Sequence, residues 1–92
     1  MTNVPGGWIL APIQSGGLPE GVASAFSDVT LQMTGAKYIP VLYCGKQVVH
    51  GTNHMIICKQ TLAVQDATEH IVTMVINCSE HGNSIVEIQT II

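Results

Sequence analysis

From Leu18 onward the apolar side chains recur at spacings of four, four, three and four: Leu18, Val22, Phe26, Val29 and Met33. That rhythm follows the turn of an α-helix and collects the hydrophobes on one face. Pro19 suits a first helical position, Glu20 brings negative charge to the positive end of the helix dipole, and Gly35 is a natural stop. A helix is therefore expected over residues 18–34. After it the rhythm shortens to that of strands. Residues 37–49, "KYIPVLYCGKQVV", are rich in β-branched and aromatic residues, with Pro40 and Gly45 marking bulges or an edge. Gly51-Thr52-Asn53 reads as a turn, 54–64 as the next strand, Gln65-Asp66-Ala67 as a second turn and 68–77 as another strand. Cys78 to Asn83 turns again into 84–92, where Ile85, Glu87 and Gln89 alternate with Val86, Ile88 and Thr90, as expected of a sheet with one buried face.

Ahead of the helix, residues 1–17 form a Gly- and Pro-rich extended lead-in whose "WILAPI" stretch suits a short first strand. The pattern thus predicts one domain over residues 1–92 and an α+β class. One helix packs across an antiparallel meander of four to five strands, because neither layer buries its apolar side alone. No repeats or linkers divide the chain.

Composition adds a constraint. Apolar residues make up 47% of the 92 and charged residues 10%, against roughly 25% charged in an average globular protein. So few charges imply covered surfaces, self-association or an apolar surface kept for a partner. The net charge of −3 and three scattered lysines, Lys37, Lys46 and Lys59, argue against nucleic acid, which demands a basic stripe. No apolar run reaches the ~18 residues of a membrane helix. The opening "MTNVPGGWILAPIQ" has no basic start and is broken by Pro and Gly, so a cytoplasmic protein is expected.

Catalytic chemistry finds little support. A nucleophilic cysteine among Cys44, Cys58 and Cys78 needs a nearby imidazole, from His50, His54, His70 or His81, and an electropositive setting. Cysteines within strands more often serve as small core hydrophobes. Cys44 and Cys58 lie equally far from Gly51, so a hairpin centred there allows a cross-strand disulfide, whereas a reducing compartment favours free thiols. His50 and His54 nominate no third metal ligand, the carboxylates do not pair, and Gly6-Gly7 and Gly16-Gly17 lack the spacing of a phosphate loop. Neither an enzyme nor a cofactor or metal is expected. "NCS" at Asn77–Ser79 matches a glycosylation acceptor, relevant only to a secreted protein.

One stretch is left over. Gln47-Val48-Val49-His50-Gly51, followed by Thr52-Asn53, runs apolar side chains up to a turn. It resembles the first inhibitory hairpin of the cystatins, Gln-x-Val-x-Gly, and in particular that of the stefins, the disulfide-free cytosolic branch. Val4-Pro5-Gly6-Gly7 is similar to the stefin N-terminal trunk, and Pro19-Glu20 stands where stefin helices begin. The likeness in element order spans nearly the whole chain. His50 replaces a common alanine, and Cys78-Ser79 stands where the family has Leu-Pro or Pro-Trp in its second hairpin.

The resemblance implies a cystatin-like fold and reversible, tight inhibition of papain-like, cathepsin-type cysteine proteases. The family's wedge would be built here from Val4, Pro5, Gly6 and Gly7, from Gln47, Val48, Val49, His50 and Gly51, and from Cys78 and Ser79. Gly6 and Gly7 would let the backbone approach the cleft wall, Val48 and Val49 would offer stiff apolar area, and Gln47 would position the hairpin base. The alternative is a non-inhibitory domain of the same fold that binds another protein or a ligand. A monomer is expected, with exchange of the strands flanking the first tip as a route to a swapped dimer.

Overall fold

The computed structural model describes residues 7–12 and 17–92. Six elements follow in order: β1 (Trp8–Leu10), α1 (Glu20–Leu31), β2 (Ala36–Val49), β3 (Gly51–Leu62), β4 (Glu69–Ser79) and β5 (Gly82–Thr90). The five strands form one open antiparallel sheet in the order β1-β2-β3-β4-β5, and α1 crosses one face of it. The class is therefore α+β.

The helical stripe forms as its spacing requires, with Val22, Ala25, Phe26 and Val29 buried. The helix is shorter than the expected 18–34. Pro19 is the N-cap rather than the first helical residue, since its ψ of 147° is extended, and its carbonyl accepts the first helical bond from Ala23 N–H at 2.8 Å. At the other end the helix stops at Leu31, two residues before the stripe runs out at Met33. Met33 N–H bonds back to the Thr30 carbonyl at 3.1 Å, a tightened last turn that frees the chain to enter β2.

The core lies between α1 and one sheet face. Ile56 and Cys58 of β3 and Val72, Met74 and Ile76 of β4 are fully buried there, with Tyr38, Tyr43, Ile85 and Ile88 packed around them. Two register shifts interrupt β2, between Pro40 and Leu42 and between Tyr43 and Gly45. They fall where Pro40 and Gly45 marked irregularity. Gly45 has a further reason to be glycine: a Cβ there would collide with the Ile9 carbonyl of β1. The short first strand docks on β2 only because that space is empty.

Three expectations are corrected. The first tip is at His50, not across Gly51-Thr52-Asn53. Gly51 alone takes the positive φ of 88°, so Thr52 and Asn53 are already strand residues, opposite Val48 and Gln47. The centring of Cys44 on Cys58 fails with it. Cys58 opposes Pro40, Cys44 is the extra residue of the second bulge, and all three cysteines are free thiols. In β5 the simple alternation breaks at a bulge around Val86, because Val75 pairs with Glu87 while Ile76 pairs with Ile85. Ile85 and Ile88, three apart, consequently share the core side.

Candidate functional site

Antiparallel pairing brings the singled-out segments to one end of the sheet. Trp8 pairs with Gln47, which sets Gly7 at the level of Val48, beside the first tip. Val4, Pro5 and Gly6 lie outside the described residues. Cys78 pairs with Thr52, so the second tip, between β4 and β5, lies beside the first. Gly7, Gln47, Val48, Val49, His50, Gly51, Cys78 and Ser79 are thus gathered from three separate stretches of chain.

The first tip presents apolar area to solvent. Val48 is 58% and Val49 42% exposed, although both end a strand that buries part of its length. A β-branched side chain on a hydrogen-bonded strand has little rotamer freedom to lose when something covers it.

Beneath the tip runs a ladder of amides. Asn53 Nδ2 donates to Gln47 Oε1 at 3.1 Å, and Asn77 Nδ2 donates to Asn53 Oδ1 at 2.9 Å. The same Asn77 amide reaches the His50 carbonyl at 3.3 Å, tying β4 to the turn residue of the first tip. Asn53 is thus one partner of the Gln47 amide. Asn53 and Asn77 were not foreseen as site residues. Their membership depends on register across three strands, which no local pattern reveals.

The two tips also touch through Gly51. A Cβ there would stand 2.6 Å from the Cys78 carbonyl oxygen and 2.9 Å from the Ser79 Cβ. The glycine therefore serves both its own positive φ and the close approach of the neighbouring hairpin. Val49, His50, Gly51, Ser79, Glu80 and His81 line a shallow notch between the tips.

The second tip is smaller and more polar. Ser79 pairs with Gly82, leaving a two-residue turn of Glu80 and His81. Ser79 Oγ accepts from the His81 N–H at 3.1 Å and donates to the Gly82 carbonyl at 3.4 Å, bracing the turn. Cys78 sits in β4 rather than in the turn, and its side chain packs against the core. The outward groups are Glu80 and His81, whose side chains are 84% and 80% exposed and 3.6 Å apart. Neither was singled out from the sequence, because the expected turn was too long to identify its apex.

Burial pushes Cys44 and Cys78 above the usual thiol range and Cys58 up to about 12, so the thiolate is disfavoured at all three. The Cys44 and Cys58 Sγ atoms point at the backbone carbonyls of Leu42 and Ile56. His54 Nδ1 is engaged by the Tyr43 hydroxyl at 2.8 Å. Among the described residues no three His, Cys, Asp or Glu side chains converge as a metal site would need. No helix among them is long and apolar enough to cross a membrane.

Comparison with protein-family models, with curated proteins and with solved structures found no match to this chain.

Proposed function

We propose that this is a cystatin-like domain acting in the cytoplasm as a reversible inhibitor of papain-like cysteine proteases. The observation that carries the reading is the convergence at one sheet end of Gly7, the exposed Val48–Val49 pair, Gly51 and the second tip. Such an end exposes the apolar Val48 and Val49 beside its apex and is braced from behind by the Gln47–Asn53–Asn77 amides. Inserted into a protease cleft, it covers the catalytic thiolate from both sides. It offers no peptide bond in attack geometry, so it blocks without being cleaved. Preorganisation lowers the entropic cost of binding.

A second reading is favoured by one observation. The second tip leads with Glu80 and His81 instead of bulky hydrophobes, and Cys78 turns its side chain to the core. On that reading the same end docks a non-protease partner.

Titration of active papain separates the two. An inhibitor reaches full inhibition stoichiometrically at low concentration. Val49→Asp then weakens it by about a hundredfold, since carrying a carboxylate into an apolar cleft costs about 3 kcal/mol. The exposed position leaves the fold intact. No inhibition by the wild type, or equal inhibition by Val49→Asp, defeats the protease assignment.

A further inference from the structure

On the opposite face from the amide ladder, one strand position back from it, the protein has a second recess. Its walls are Ile9 and Ala11 from β1 and the residue following it, Val22 from α1, and Tyr43, Lys46 and His54 from the sheet. It encloses about 370 Å³, within the roughly 300–1,000 Å³ of small-molecule sites. Gly45, over which β1 lies on β2 with no room for a Cβ, also lines the recess.

Its one charged group is a cation, Lys46. Lys46 and His54 are cross-strand partners, and no carboxylate among the described residues lines the walls. Among the described residues Lys46 forms no ion pair. The Tyr43 hydroxyl and His54 Nδ1 share a hydrogen bond of 2.8 Å, and burial raises the Tyr43 pKa. With the hydroxyl as donor the imidazole proton sits on Nε2, which has no hydrogen-bond partner among the described residues. The site therefore offers one fixed cation and one neutral donor at the edge of an apolar hollow. A dianion such as phosphate is matched poorly by a single cation and apolar walls. A monoanion with an apolar body is matched well.

We propose that this recess binds an amphiphilic monocarboxylate, its apolar chain against Ile9, Ala11 and Val22 and its carboxylate against Lys46 and the His54 Nε2–H. The site is independent of the protease-binding end. Burial, together with the Lys46 charge, holds the His54 pKa below its usual value. A carboxylate seated beside Lys46 offsets that charge, so binding raises the His54 pKa.

The test uses the whole chain, with octanoate and the uncharged octanol as probes, followed by NMR of the amides and the His54 ring. Octanoate is expected to bind saturably, to shift resonances around the recess and to raise the His54 pKa. Lys46→Gln, an exposed substitution, should weaken octanoate at least tenfold and leave octanol unchanged. Ala11→Trp, which fills the hollow, should abolish both, with amide dispersion verifying the fold. The proposal is overturned if wild type shows no saturable octanoate binding, or if octanol binds as tightly as octanoate. It is equally overturned if either variant retains full octanoate affinity.

Discussion

Replacing Gly51 with alanine tests the contact between the two tips, and its cost can be worked from the geometry. Two penalties apply. The φ of +88° is strained for any residue with a Cβ, at about 1–3 kcal/mol. The new methyl also stands 2.6 Å from the Cys78 carbonyl oxygen and 2.9 Å from the Ser79 Cβ, and relieving such overpacking costs a further ~1–3 kcal/mol. Gly82→Ala supplies the control. Its φ is +116°, but nothing lies within 4 Å of the added methyl, so only the strain of about 1–3 kcal/mol applies. Urea unfolding of both variants, followed by circular dichroism and by the fluorescence of Trp8, gives the two losses by linear extrapolation. Gly51→Ala should lose about 1–3 kcal/mol more than Gly82→Ala, the overpacking term alone. Losses equal to within about 0.5 kcal/mol would mean that the tips separate without resistance, and the reasoning fails.

Three further outcomes are expected. Asn53→Ala removes the middle rung of the amide ladder and should destabilise the domain by about 1–2 kcal/mol while raising the dissociation rate from papain more than it lowers the association rate. His54 has a folded pKa below its unfolded value of 6.5, so the unfolded chain takes up its proton first as the pH falls. Stability contributed by keeping this ring neutral is intact above that value and is lost as pH drops through it toward the folded pKa. Urea midpoints should fall between pH 7.5 and 5.5, and His54→Gln should remove part of that slope. Finally, thiol-reagent titration of the native protein at neutral pH should leave Cys58 unmodified, because it is fully buried and its pKa is about 12. Unfolding should bring the count to three.

The helix and the sheet were legible because their signals are local. Val22, Phe26 and Val29 announce a helical face by spacing alone, and a lone amphipathic helix dictates the two-layer arrangement. Pro40 and Gly45 flagged irregular pairing for an equally local reason, the missing N–H of one and the missing Cβ of the other. What escaped was register. Gly, Thr and Asn in succession look like a three-residue turn, yet one positive φ at Gly51 suffices, and the turn moved back to His50. That displacement decides that Asn53 faces Gln47 and that Cys44 misses Cys58. The bulge at Val86 likewise depends on how β4 offers its partners, which the sequence of β5 does not contain. At the candidate site, Val48, Val49 and Gly51 stood out as a short motif. Asn53 and Asn77 did not, since their roles come from neighbours on other strands.

The reach of the Asn77 amide to the His50 carbonyl has a consequence for how this end of the protein can be altered. Loops at the rim of a sheet are commonly treated as exchangeable cassettes. Here the first loop rests on a side chain that belongs to the strand leading into the second. A foreign hairpin grafted at 47–53 would arrive without its buttress unless Asn77 still found an acceptor. A library varying only Glu80 and His81 would leave that support untouched. Diversification therefore has one open direction, through the apex of the second loop, and a closed one, through the base of the first.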